Sequence, residues 1–94
     1  MKIFDKASWQ IDNGMDELIV VSHFEFVFNW LNKHEMLSPE GLEILDLGIG
    51  KDVSLHERLV NKSGLKFLNE HYDKMITDFK YNVESEKEFL EKIF

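Results

Sequence analysis

The stretch Ser22-His23-Phe24-Glu25-Phe26-Val27-Phe28-Asn29-Trp30-Leu31 carries the strongest structural signal in the chain, because three phenylalanines and a tryptophan fall within ten residues. Residues three and four apart share one face of a helix. This spacing gives one apolar stripe of Val20, Phe24, Val27 and Leu31, and a second stripe of Ile19, Phe26 and Trp30. Together the stripes cover roughly 200° of the helix, whereas a helix lying on a single core needs about 100°. The helix is therefore expected to be covered on two sides.

The second stripe is the predicted protein-interaction site, formed by Ile19, Phe26 and Trp30. Aromatic side chains outside the main core stripe are typical anchors of protein interfaces. Either another protein or a second copy of the chain would cover it. The competing interpretation is that both stripes face an ordinary core and that the C-terminal helix folds back over the second one through Phe89, Leu90, Ile93 and Phe94.

The rest of the chain predicts a single all-α domain over residues 1–94, a small bundle of four to five helices with an extended N-terminal segment of about fifteen residues. That segment is expected to carry Phe4, Trp9 and Ile11 onto the helices. The predicted helices cover residues 16–34, 39–47, 54–60, 64–80 and 86–94. The helices at 16–34 and 64–80 should form the core.

Capping signals set these boundaries. Ser-x-x-Glu capping boxes start at Ser22, Ser54 and Ser85, Ser63 precedes the longest periodic segment, and Ser38-Pro39 reads as a cap followed by proline in the first turn. Gly48 falls where a helix-ending glycine belongs. If Ser22 were a true start, the β-branched run at 19–21 would instead be a strand paired with residues 8–11 across Asn13-Gly14. The longer helix is preferred because the first stripe continues back to Val20 without a break in phase.

The composition excludes several classes of function. The formal net charge is −7, and a surface of that balance repels nucleic acid and anionic lipid. The chain has no cysteine, which excludes disulfides, thiolate zinc sites and thiol nucleophiles. Its most apolar stretch, residues 18–31, is interrupted by polar side chains and is too short to span a bilayer. A cytoplasmic protein that binds neither nucleic acid nor membrane is the expectation.

No catalytic, cofactor-binding or metal-binding residue can be named, and no small-molecule substrate is identifiable. The four histidines show no pair at helical spacing, and His23-x-Glu25 lacks the paired cysteines that zinc deaminases need. His23 is interpreted as a core side chain with its polar tip bonded. An enzyme or metal protein using histidine and carboxylate side chains remains the alternative, and it requires two or more histidines to meet carboxylates.

A DNA-binding regulator is the other alternative, with a helix-turn-helix at about 39–61. Its recognition helix would offer Arg58, Lys62, His56 and Asn61 against Glu57, which is few contacts for a chain of this charge. The sequence therefore favours a small acidic, non-enzymatic protein-interaction module, of the adaptor, regulatory or inhibitor and immunity-like kind. Its expected partner is another protein or a second copy of itself.

Overall fold

A computed structural model describes all 94 residues. It contains five α-helices and a two-stranded antiparallel sheet. The helices are α1 (Ala7–Asp12), α2 (Glu17–Lys33), α3 (Pro39–Leu47), α4 (Lys62–Phe79) and α5 (Val83–Ile93). The strands are β1 (Ile3–Lys6) and β2 (Ser54–His56), and a short 3-10 helix covers Glu57–Leu59. The prediction of a mostly helical protein is confirmed, although all-α is only approximate because of the sheet.

Helix α2 is the central element, as its sequence predicts. It begins after Asp16, whose carboxylate accepts hydrogen bonds from two backbone amides of the first turn. The first apolar stripe is confirmed as core, since Val20, Phe24, Val27 and Leu31 are all buried. The alternative strand at 19–21 is wrong, because residues 19–21 and 8–11 both lie in helices.

The expected contact between α2 and α4 is present and is made by large side chains. The Trp30 ring stacks on Phe67 with centroids 4.4 Å apart, and His23 meets Tyr72 with ring centroids at 5.8 Å. Trp30 follows His23 on α2 while Phe67 precedes Tyr72 on α4, so the two helices run in opposite directions. Helix α5 packs against both α2 and α4, and it forms the wall next to the second stripe.

The extended N-terminal segment is much shorter than predicted. Only Ile3–Lys6 is a strand, and the next six residues form α1, whose Ala7 is fully buried. Asp5 favours this turn into helix because its Oδ1 accepts from the amide of Lys6 at 2.8 Å and from Gln10 Nε2 at 3.2 Å. Phe4 and Ile11 pack against the core as expected, whereas Trp9 is 46% exposed.

The predicted helix at 54–60 is wrong. Ser54–His56 is a strand that pairs with β1, with Leu55 buried between two half-buried neighbours, and a 3-10 turn follows it. The pairing partner, β1, is some fifty residues away in sequence, so a local capping box could not reveal it. A helix-turn-helix at 39–61 therefore lacks its second helix.

The starts of α4 and α5 are shifted by a few residues from the predicted ones, because asparagine rather than serine supplies their caps. Asn61 caps α4 through Gly64 N at 3.0 Å, and Asn82 caps α5 through Ser85 N at 3.0 Å. Ser22 lies inside α2 and starts nothing. The start of α3 is as predicted, with Ser38 accepting from Gly41 N at 3.2 Å, and Gly48 ends that helix at a positive φ of 103°.

Replacing Gly41 with alanine should destabilise the fold although it lies inside a helix, where alanine is normally preferred over glycine by about 1 kcal/mol. A Cβ at this position would overlap the carbonyl oxygen of Leu59, which is fixed because it accepts from Ser38 N at 3.0 Å. We expect a loss of about 1–3 kcal/mol in the free energy of unfolding, measured by urea denaturation. Gly50→Ala is the matched control, because a Cβ there would meet no atom within 4 Å beyond its chain neighbours. Equal midpoints for the two variants would contradict the close approach of α3 to Leu59.

Candidate functional site

The first candidate site is a chain of hydrogen-bonded polar side chains inside the core. It joins five residues from β1, α2, α4, the α4–α5 turn and α5, each at most 6% exposed: Asp5, His23, Tyr72, Tyr81 and Glu86. We refer to these five residues as the polar network. Buried polar groups are tolerated only when they are bonded, so the partners of each atom decide what the polar network can do.

Asp5 is the acceptor at one end. Its Oδ2 accepts from the hydroxyls of Tyr72 at 2.9 Å and Tyr81 at 2.6 Å, and its Oδ1 accepts from Lys6 N and Gln10 Nε2. Two acceptor positions on each oxygen are thus filled by donors. This arrangement requires an ionised carboxylate, held in the core by four hydrogen bonds.

His23 is bonded through both ring nitrogens. Its Nε2 lies 2.7 Å from the Tyr72 oxygen, and its Nδ1 lies 2.8 Å from both carboxylate oxygens of Glu86. Only Glu86 Oε1 has hydrogen-bond geometry towards the ring, and Oε2 has no other partner. The interpretation of His23 as a core histidine with a bonded tip is confirmed.

Counting protons gives the charge of the polar network. The single hydroxyl proton of Tyr72 is donated to Asp5, so Nε2 of His23 must donate to the Tyr72 oxygen. One further proton lies between Nδ1 and Glu86. The two side chains are together neutral whether that proton sits on the ring or on the carboxyl group. The polar network therefore carries one net negative charge, on Asp5.

Both tyrosines are held in the neutral form. Burial is the main cause that raises the pKa of Tyr72 well above its ordinary 10.0, and the negative charge of Asp5 raises it further. Burial also raises the pKa of Tyr81, followed by its hydrogen bond to Asp5. An ionised tyrosine would place a second negative charge next to Asp5.

Four of the five members of the polar network are closed off from the main surface cavities. Asp5, His23, Tyr72 and Glu86 line none of the five main surface cavities, and of its members only Tyr81 lines one. A catalytic acid or base must come within hydrogen-bond reach of its substrate. This arrangement fixes α5 against α2, and Asp5, His23, Tyr72 and Glu86 are all buried within it.

The sequence contains one local signal for this site. Glu86 lies three and four residues before Phe89 and Leu90, so it occupies the apolar face of α5 where a charge is out of place. Asp5 and Tyr81 carry no comparable local signal. Their roles depend on contacts that join β1 to the α4–α5 turn.

The second candidate site is a groove of about 390 Å³ between α2 and α5, which we call the α2–α5 groove. Its apolar lining residues are Phe26, Trp30, Leu90 and Phe94, and its polar ones are Asn29, Lys33, His34, Lys87 and Glu91. Phe26 and Trp30 are half-buried rather than sealed, in contrast to the first stripe of α2. Two of the three predicted interaction residues thus lie together in one open groove.

Ile19, the third predicted interaction residue, lies apart from them. It is 50% exposed and lines a groove of about 350 Å³ with Leu18, Ser22 and the α4–α5 turn at Tyr81–Glu84. The structure therefore brings Phe26 and Trp30 together and places Ile19 nearer the start of α2.

Two other features bear on charge and metal binding. An open groove between α2 and α3 is lined by Glu25, Glu43 and Asp46 without any cation, as solvated acids on a protein of net charge −7 would be. Besides His23, only His71 meets a carboxylate, Glu70, at 3.7 Å on the surface. No three side chains of the metal-binding types are placed to share an ion.

None of the five helices combines the length and apolar character needed to cross a membrane. The comparisons with known proteins give no relative: no protein family, curated protein or solved structure matches this chain. The geometry of the polar network and of the α2–α5 groove is therefore the basis for a functional proposal.

Proposed function

We propose that the protein is a small acidic, non-enzymatic protein-interaction module of the cytoplasm, acting as an adaptor, a regulatory subunit or an inhibitor. Its partner is another protein, and its binding surface is the α2–α5 groove. The observation that carries the proposal is the position of Phe26 and Trp30, which line an open groove on the central helix instead of being sealed beneath α5.

The groove has the composition of an interface centre. Interface cores are enriched in aromatic residues and surrounded by a polar rim, and truncating their anchors typically costs about 2 kcal/mol or more of binding. Here the floor is aromatic and aliphatic, while Asn29, Lys33, Lys87 and Glu91 form the rim. Trp30 is also held in position on the floor of the groove, because its ring stacks on the buried Phe67.

The buried polar network also supports this proposal, because its titratable side chains are bonded to one another. Its histidine and carboxylates are the closest approach to a catalytic constellation in the molecule, and their bonds are all directed inward. Its role in the proposed function is to fix α5, through Glu86, at the distance from α2 that keeps the groove open.

Site-specific photocrosslinking tests the groove in cells that make the protein. A photoreactive residue at Lys87, on the rim, should capture a discrete protein partner. The same residue at Asp73, an exposed position on α4 that lines none of the five main cavities, should not. Phe26→Ser should weaken capture by about thirty-fold, the equivalent of about 2 kcal/mol, while Val21→Ser, a half-buried position on the same helix, should not.

Capture from both positions alike, or from neither, would contradict the proposal. A second copy of the chain is the alternative occupant of the groove. If the crosslinked species is the chain itself and sedimentation shows a dimer that Phe26→Ser dissociates, the module is a homodimer rather than an adaptor.

A further inference from the structure

Phe94 lines two cavities. It directly follows α5 and lines the α2–α5 groove on one side. On the other side it lines a cavity of about 260 Å³ against α4, together with Met36, Ser63, Lys66, Phe67, Glu70 and His71. Phe94 is the one residue that the two cavities share.

Four aromatic rings lie near the Phe94 ring. Its centroid lies 5.0 Å from Trp30, 5.5 Å from Phe67, 5.7 Å from His34 and 6.4 Å from His71. These separations fall in the range of favourable aromatic pairs. We call Trp30, His34, Phe67 and His71 the aromatic socket.

Phe94 occupies the socket without being locked into it. The residue is 57% exposed, and its amide donates to the Leu90 carbonyl at 3.1 Å as a continuation of the last helical turn. No other backbone hydrogen bond of Phe94 and no side-chain bond ties it to α2 or α4. Its position therefore depends on aromatic ring contacts rather than on hydrogen bonds to α2 or α4.

The rim of the socket has the opposite charge balance to the whole protein. The two cavities that flank Phe94 contain Lys33, Lys66 and Lys87, against the two acids Glu70 and Glu91. Glu70 is also close to His71, at 3.7 Å. In a chain with eleven cations and eighteen acids, this is a locally basic surface that would attract carboxylates.

We propose that Phe94 occupies the aromatic socket when no partner is bound. In the bound state the socket instead takes an aromatic side chain of a partner protein, flanked by acidic residues of that partner. This inference rests on the proposed function and names the chemistry of the partner. The socket already accepts a phenylalanine ring, and the lysines around it complement flanking acids. A tethered occupant competes at a high effective concentration. The partner's apparent affinity is therefore its intrinsic affinity multiplied by the fraction of sockets that Phe94 leaves free.

The test compares wild type with Phe94→Ala, using a synthetic peptide that carries one phenylalanine between glutamates. Binding is followed through the indole N–H resonance of Trp30. We expect Phe94→Ala to bind the peptide about tenfold more tightly than wild type, because the competing ring is gone. Ile93→Ala is the matched control, since Ile93 is also exposed at the end of α5 but lines neither cavity. It should bind like wild type.

Two further peptides test separately whether the phenylalanine and the flanking glutamates are needed for binding. A peptide with alanine in place of phenylalanine should not bind, and a peptide with lysines in place of the glutamates should bind Phe94→Ala at least about tenfold more weakly. Phe94→Leu, which retains an apolar side chain at the position, guards against misfolding and should bind between the other two proteins. An unchanged thermal midpoint for Phe94→Leu establishes that the fold is intact.

Equal affinity of wild type and Phe94→Ala, or no binding by any variant, would overturn the proposal. So would a wild-type dimer that Phe94→Ala dissociates, because the occupant would then be the Phe94 of a second copy. If the peptide fails to bind while crosslinking from Lys87 still captures a partner, the socket is wrong and the proposed function stands. If both experiments fail, the aromatic socket and the proposed function are both contradicted.

Discussion

Replacing Glu86 with alanine is expected to lower the free energy of unfolding by about 3–5 kcal/mol, the usual cost of removing one partner from a buried pair. Glu86 and His23 are both completely buried, so water does not reach the ring to replace the lost carboxylate in the folded protein. The Nδ1 atom of His23 would be left without a partner, and a cavity would open beneath α5. For a domain of this size the thermal midpoint should fall by about 12 °C or more.

Glu88→Ala is the matched control, because it removes the same carboxylate from an exposed position two residues along the same helix. Its thermal midpoint should stay close to that of wild type. A double-mutant cycle with His23→Leu should give a coupling free energy of about 2 kcal/mol, since the two side chains share one hydrogen bond. Equal destabilisation by the two glutamate substitutions would show that the bond between His23 and Glu86 does not hold α5 in place.

Helix α2 shows what sequence alone could establish about the fold. Its start is set by Asp16 and its buried stripe by a repeat of three and four residues, both of which are local properties. Strand β2 had no such local determinant. Its structure depends on pairing with β1, in which His56 lies opposite Ile3, and a three-residue segment carries too little periodicity to compete with a capping box.

For the candidate sites too, local features could be predicted from the sequence, whereas contacts between distant elements could not. The bonded core role of His23 could be predicted because the residue falls within the apolar stretch of α2. Its partner could not, because Glu86 lies 63 positions further along the chain and the pairing depends on how α5 docks. The α2–α5 groove likewise depends on how α5 docks against α2. Leu90 and Phe94 of the C-terminal region line the groove with Phe26 and Trp30, and the sequence does not specify how closely the two helices approach.

The second large effect is expected at alkaline pH. Unfolded tyrosines lose their protons above about pH 10, whereas the raised pKa values of Tyr72 and Tyr81 keep both hydroxyls neutral in the folded protein. Above that pH the unfolded state binds fewer protons than the folded state, so stability falls as pH rises. The stabilisation from the tyrosines is fully present below about pH 10 and is lost at about 1.4 kcal/mol per pH unit for each one, or nearly 3 kcal/mol for the pair.

The chain has two tyrosines, and both belong to the polar network, so tyrosinate absorbance reports this site without background from other residues. Absorbance should stay low as pH rises and then increase together with the loss of helical circular dichroism, because ionisation requires unfolding. Tyr81→Phe should begin from a lower stability, having lost its bond to Asp5, but its stability should decline with about half the wild-type slope because one titrating group remains. If tyrosinate forms near pH 10 while helical dichroism is unchanged, the hydroxyls are open to solvent. Asp5 would then not be the sealed acceptor that joins β1 to α4 and to the turn before α5.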